Sequence, residues 1–154
     1  MNEYLADALR KAASFCAYQE RTQQEVRDRL AAWDITGDDA EEIIAELIGQ
    51  NYLNEERFAK TFAGGKFRVK HWGKRKIQQH LKQRGISGHN LSQAMAEITS
   101  TDYRATLTDL LDKKRRMLRD DNPLVIKQKL VRYALSKGYE SELIFSVLGA
   151  EDSE

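Results

Sequence analysis

The sequence predicts an all-α protein of three tandem three-helix repeats that form an elongated, curved helical array. Apolar residues recur every three or four positions, which is the period of an amphipathic helix. The 154 residues contain one proline, Pro123, and no sustained alternation that would indicate a strand. The pattern also repeats along the chain, because Val26 and Leu30 are followed by Ile77 and Leu81, each 51 residues later.

The first repeat, residues 1–52, is predicted to be acidic and to contain helices near 3–19, 22–33 and 38–50. Thr22 and Glu25 form a capping box at the start of the second helix. Residues 1–56 carry 13 Asp and Glu against 5 Lys and Arg. Acidic residues favour helix starts, which accounts for part of this excess. Three other interpretations stay open: the acidic pole keeps DNA away, contacts a basic part of a partner, or contacts another copy of the chain.

The second repeat, residues 53–99, is predicted to be basic and to contain helices near 54–68, 73–84 and 88–98. Residues 57–96 carry 10 Lys and Arg and no acidic residue, which indicates a segment that meets an anion. Asn54 is placed to cap its first helix and Gly85 to end its second. Gly64 and Gly65 interrupt the first helix pattern, so we expect a kink or a close approach between helices there.

The third repeat, residues 100–149, is predicted to contain helices near 101–118, 122–137 and 140–148, followed by a tail at 150–154. Asn122 and Pro123 are a helix cap and a first-turn proline, and they stand 49 residues after the corresponding start at Gly73. The helix that follows is about one turn longer than its counterparts before Gly138 ends it.

The first candidate site is a run of cations around the end of one helix and the start of the next. Such cations neutralise phosphates or acidic protein surfaces. Trp72 and Val69 lie within the run, and we expect both to be packed, although stacking of Trp72 on a base is the alternative. The run contains Lys66, Arg68, Lys70, His71, Lys74, Arg75 and Lys76, and Lys82 and Arg84 extend it.

A second basic run lies late in the helix predicted near 101–118. It consists of Lys113, Lys114, Arg115 and Arg116. Four consecutive residues cannot share one helical face, and cations near a helix C-terminus are favoured by the helix dipole. A binding role and a purely structural one therefore stay open. The later cations Lys127, Lys129, Arg132 and Lys137 are interpreted as a solvated face, and the alternative is that they extend the same basic surface.

The sequence predicts no catalytic residues, no metal site and no cofactor. His71, His80 and His89 recur every nine residues, which fits neither a helical pair nor a zinc knuckle. Cys16, the one cysteine, lies among apolar residues and is predicted to be core. The chain shows no signal peptide and no apolar run of ~20 residues that would span a membrane. We therefore expect a cytoplasmic protein with no membrane partner.

Two motifs around the middle repeat resemble the central signature of RecX regulatory proteins. The first begins at Tyr52 and the second at Trp72, and a first-repeat motif lies at Arg21-Thr22 with Glu25. The resemblance covers roughly 8–149, and the order and spacing of the central pair are specific. The motif residues expected to be structural are Tyr52, Leu53, Asn54, Phe58, Ala59, Trp72, Gly73, Ile77, Leu81, Gly85 and Ile86.

The resemblance implies a non-enzymatic protein that binds the RecA–DNA filament and mainly inhibits RecA, with roles in DNA repair, recombination and the SOS response. We expect the chain to be a monomer. RecA is the implied partner, and single- or double-stranded DNA is contacted weakly or through RecA. The alternative is a helical-repeat module that binds DNA directly, for which Gln78, Gln79 and Asn90 are only generic base-reading candidates. Naked-DNA binding separates the two hypotheses.

Overall fold

The computed structural model describes residues 1–152, with side chains for residues 1–150. Within this part of the chain every regular element is an α-helix, as predicted. The nine helices are α1 (Glu3–Tyr18), α2 (Gln23–Ala32), α3 (Gly37–Gly49), α4 (Glu55–Lys70), α5 (Lys74–Gln83), α6 (Gly88–Ala96), α7 (Ser100–Met117), α8 (Pro123–Ser136) and α9 (Ser141–Asp152). No described helix is long and apolar enough to cross a bilayer.

The helices start where the capping residues predict. Thr22 Oγ1 accepts a hydrogen bond from the Glu25 amide at 3.1 Å, and its hydroxyl donates to the Glu25 carboxylate at 3.4 Å. Asn122 Oδ1 accepts from the Leu124 amide at 3.0 Å, with Pro123 in the first turn of α8. Each such cap contributes about 1 kcal/mol.

The predicted helices are confirmed, with differences of two or more residues at three C-terminal ends, including α6, which ends at Ala96 instead of 98. The helix α4 extends two residues beyond the predicted end, to Lys70, and α9 runs to Asp152 instead of ending at 148. The sequence predicts a tail at 150–154, but residues 150–152 belong to α9. Positions 153–154 lie outside the described residues.

The chain forms two compact units. The first contains residues 1–61 and 81–93, and the second contains residues 62–80 and the chain from 94 onward. The middle repeat thus contributes to both units, because the division falls within α4, α5 and α6.

The core of the first unit is made by α1, α2 and α3. Its apolar side chains include Ala12, Val26, Leu30, Ile43 and Leu47, each fully buried. Cys16 is 4% exposed and belongs to this core, as predicted.

The core of the second unit is made by α7, α8 and α9 with part of α5. Leu107, Leu111, Leu130 and Ile144 are fully buried. Two tyrosine rings, Tyr103 and Tyr139, stack beside them with centroids 5.0 Å apart.

One expectation for α4 is wrong. Val69, which we expected to be packed, is 76% exposed because it faces away from the core in the last turn of the helix. The helix continues through Gly64 and Gly65. The atoms nearest to a Cβ built on Gly64 belong to the Arg68 guanidinium of the same helix, at 2.8 Å, and a Cβ on Gly65 would meet nothing within 4 Å.

Candidate functional site

The candidate site is residues 66–76, here called the basic segment, which ends α4, turns and begins α5. The turn is made by His71, whose φ is +58° and whose amide bonds the Phe67 carbonyl at 3.0 Å. The next amide, of Trp72, bonds the Lys66 carbonyl at 3.1 Å. These bonds close the C-terminus of α4 and leave the following amides free to bond a more distant part of the chain.

The distant part is the link between α8 and α9. The Gly73 amide donates to the Lys137 carbonyl at 2.7 Å, and the Arg75 amide donates to the Gly138 carbonyl at 3.0 Å. A Cβ on Gly73 would overlap the backbone of Gly138, and Gly138 itself has φ +98°. Both positions therefore require glycine. Gly73 allows the close approach of the two backbones, and Gly138 allows the same approach and also adopts a positive φ.

Side chains complete this attachment. The Tyr103 hydroxyl accepts the Lys74 amide at 2.8 Å and donates to the Glu140 carboxylate at 2.8 Å. The Tyr139 hydroxyl donates to the His71 carbonyl at 2.9 Å. Burial, with the nearby Glu140 charge, raises the pKa of both phenols well above the ordinary value. Both hydroxyls therefore keep the proton that they donate.

Trp72 supports two of the cations. The ammonium groups of Lys66 and Lys76 lie 4.9 Å and 4.6 Å from its ring centroid, a cation–π distance. The ring is half-buried and packs against His80 at 4.5 Å and against Phe62 edge-on at 6.4 Å. Trp72 is thus packed within the second repeat, and its ring also positions the ammonium groups of Lys66 and Lys76.

A cationic cleft lies between α5 and α8 and is called the α5–α8 cleft. It has a volume of about 560 Å³ and is lined by Arg75, Lys76, Gln79 and Ser136, among others. None of the described residues that line it carries a carboxylate. An anion bound there would meet a lining that includes two cationic residues and no described carboxylate.

Lys137, beside this cleft, shows the effect of the concentrated charge. Its ammonium donates to the Lys70 carbonyl at 3.0 Å. Its pKa is lowered, first by burial and then by the charges of Lys76 and Lys70. The sequence left open whether Lys137 lies on a solvated face or extends the basic surface, and its contact with Lys70 favours the second. Only the fold brings it to the basic segment, and no local pattern signals that approach.

The other predicted cations of the middle repeat divide into two groups. Arg68, Lys70, His71 and Arg75 are exposed members of the basic segment in the second unit. Lys82 and Arg84 are exposed at the end of α5 and belong to the first unit.

The second basic run ends α7. Lys113 is exposed, and Lys114 lies 4.9 Å from the Tyr133 ring centroid. Asp112 partners the rest of the run: its carboxylate is 3.8 Å from Arg115, and its carbonyl accepts from Arg116 at 3.3 Å. These contacts tie the run to α7 and α8.

Most of the motif residues that we expected to be structural are buried. Asn54 is half-buried and caps α4 by accepting the Arg57 amide at 3.0 Å. Trp72 is also half-buried, whereas Tyr52 and Gly85 are exposed. The buried members are Leu53, Phe58, Ala59, Gly73, Ile77, Leu81 and Ile86.

Comparison with known proteins decides the family. Models of the first, second and third three-helix domains of RecX match residues 8–47, 54–95 and 101–148. The chain belongs to the RecX family. The "Regulatory protein RecX" of Clostridium perfringens (strain 13 / Type A) is 31% identical over 130 residues, 83% of this chain and 60% of that protein. The Listeria innocua "Regulatory protein RecX" is 26% identical over 88% of this chain and 50% of that protein.

Solved RecX structures have the same fold. The crystal structure of RecX from Lactobacillus salivarius superposes with a TM-score of 0.89 at 23% identity, and the match covers 97% of both chains. A second RecX crystal structure gives a TM-score of 0.81 at 24% identity, over 95% of this chain and 74% of the other. The chain spans half to three fifths of the length of the curated RecX relatives that it matches.

Proposed function

We propose that this chain regulates RecA by binding the RecA–DNA filament and mainly inhibiting its recombinase and ATPase activities. The chain would catalyse no reaction itself and would act in the cytoplasm, in DNA repair, recombination and the SOS response. RecX membership supports RecA as the partner. The observation that carries the binding site is the basic segment, whose backbone is hydrogen-bonded to the α8–α9 link at Lys137 and Gly138.

The attachment matters because a pre-ordered cation cluster loses less conformational entropy on binding than mobile surface lysines do. Lys66 and Lys76 are held on Trp72, and Lys137 is held on the Lys70 carbonyl. Such a surface fits the phosphates of filament DNA or an acidic surface of RecA. Contacts of this kind weaken with salt, because binding to DNA releases counterions.

RecA's DNA-dependent ATP hydrolysis tests the proposal. RecA of the same species is assembled on single-stranded DNA, and this chain is titrated from sub-stoichiometric amounts to excess. We expect hydrolysis to fall with added chain. Unchanged hydrolysis over the whole titration, together with no cosedimentation of the chain with filaments, would exclude the proposed function.

A direct DNA-binding module is the second candidate, and the α5–α8 cleft favours it. Arg75, Lys76 and Gln79 are among its lining residues, and no described lining residue carries a carboxylate. Under this candidate, naked DNA binds the chain at moderate salt as tightly as the filament does. Under the main proposal, RecA must be present for tight binding.

A further inference from the structure

The helix α8 carries two apolar faces, whereas an ordinary surface helix carries one. The first face is buried in the second unit and includes Leu130 and Ala134. The second face is exposed: Leu124 is 64% and Leu135 is 43% accessible to solvent. Phe145 of α9, at 52%, is exposed as well. Scattered single apolar residues need no explanation, but an aligned set does.

These exposed residues form one groove, here called the α8–α9 groove. Leu124, Val131 and Leu135 stand at intervals of seven and four residues, so they lie on one side of α8. Together with Phe145 they line an open space of about 560 Å³. A neighbouring space of about 510 Å³ shares Leu124 and Lys127 with it and is also lined by Leu148 of α9.

The rim of the groove is cationic. Lys127 and Arg132 border the first space, and Arg115 and Lys127 border the second. None of the described residues that line either space is acidic. An apolar floor between cations is complementary to a helix that has apolar residues on one face and acidic residues beside them.

We propose that the α8–α9 groove docks an acidic, amphipathic helical segment of RecA. The inference rests on the proposed function, because it names a second contact for the same partner. It assigns the third repeat a hydrophobic anchor, separate from the electrostatic contact of the basic segment. It also places Arg115, from the second basic run, on the rim of a protein-binding surface.

Salt separates the two contacts. Binding through the basic segment weakens as salt rises, whereas burial of apolar side chains is little affected by screening. Buried apolar anchors near the centre of an interface commonly dominate its binding energy. The groove should therefore contribute to filament binding at low and at high salt alike.

The test replaces the three exposed anchors together, as Leu124→Gln, Leu135→Gln and Phe145→Gln. The control is Tyr18→Gln with Met117→Gln, because those side chains are 84% and 73% exposed outside the groove. Circular dichroism verifies that both variants keep the helical content of the wild-type chain. Binding to preassembled RecA–DNA filaments is measured at about 0.1 M and about 0.5 M NaCl, between which the Debye length falls about twofold.

We expect the triple variant to bind at least about tenfold more weakly at both salt concentrations, which is the effect of losing a central anchor. The control should bind like the wild-type chain. A triple variant that binds filaments as tightly as the wild-type chain at both concentrations overturns the groove assignment and leaves the proposed function standing. A wild-type chain that does not bind filaments overturns both.

The identity of the occupant has its own readout. A photo-crosslinking phenylalanine derivative is placed at position 145, and the crosslinked peptide is identified by mass spectrometry. An acidic helical peptide of RecA supports the proposal. Crosslinks to a second copy of this chain, with concentration-dependent sedimentation that the triple variant abolishes, would overturn it in favour of self-association. A basic or non-helical RecA peptide would also overturn it.

Discussion

The amide of Gly73 donates a 2.7 Å hydrogen bond to the carbonyl of Lys137, which joins the start of α5 to the end of α8. The bond is possible because the two backbones touch, and a Cβ on Gly73 would overlap Gly138. The contact ties the basic segment to the link that leads into α9. We therefore expect the positions of the cations in the basic segment to depend on Gly73 and Gly138, although neither glycine is charged.

Gly73→Ala should destabilise the protein by about 1–3 kcal/mol, the usual range for forcing extra volume into a packed site. Gly65→Ala is the matched control, since a Cβ there meets nothing within 4 Å. Alanine also favours a helix interior over glycine by up to about 1 kcal/mol, so the control should be neutral or stabilising. Urea unfolding followed by circular dichroism gives both values. Equal unfolding midpoints for the two variants would refute the close-approach argument.

Tyr103→Phe should destabilise the protein by about 1–3 kcal/mol, because it leaves the Lys74 amide without its acceptor and Glu140 without its donor. Tyr133→Phe is the control, because its ring can keep the contact with Lys114. Thermal unfolding at neutral pH checks the difference. A melting temperature for Tyr103→Phe as high as that of the control would show that the hydroxyl bridge contributes nothing.

Alkaline pH should weaken the same attachment. The folded-state pKa of Tyr103 is raised above the ordinary value of 10.0, chiefly by burial. A raised pKa means that the unfolded chain loses this proton first, so the stabilisation is complete below pH 10 and declines as pH rises above it. We expect the melting temperature to fall more steeply with pH above 10 in the wild-type chain than in Tyr103→Phe. Parallel pH profiles would contradict the prediction.

Lys137 should titrate below its ordinary pKa of 10.5, because burial and the charges of Lys76 and Lys70 disfavour its protonated form. Lys76→Gln removes one of those charges, so the pKa of Lys137 should rise. Carbon-13 NMR of labelled lysine side chains measures the shift directly. Lys113→Gln, an exposed position on α7, is the control and should leave the pKa unchanged. A pKa of Lys137 that does not respond to Lys76→Gln would refute the charge coupling.

The helices were predictable from sequence because their signals are local. Thr22, Asn122 and Pro123 act within one turn of the residues they cap, so their roles can be seen in the sequence alone. Cys16 was predictable as core for a similar reason, since its apolar neighbours recur at the helical period.

The candidate site was only partly predictable. The basic segment was visible as a run of cations without acids, but its attachment joins Tyr139 to His71 and Lys137 to Lys70, pairs 68 and 67 residues apart. No local pattern indicates which distant carbonyl an amide or ammonium will meet. The exposure of Val69 was not predictable for a related reason, since apolar character alone does not fix which face of α4 is covered.

We propose that the basic segment is the surface through which this chain acts on RecA. The most direct measurement is inhibition of RecA's DNA-dependent ATP hydrolysis by a charge-reversal variant of this chain. The variant combines Arg68→Glu, Lys70→Glu and Arg75→Glu, because these three side chains are exposed. Arg10→Glu with Lys11→Glu, exposed on α1, is the control. The variant should need at least about tenfold more protein for half-inhibition and show a shallower salt dependence, by about one unit of log–log slope for each phosphate that is no longer neutralised. Inhibition by the variant at the wild-type concentration and with the wild-type salt dependence would contradict the claim.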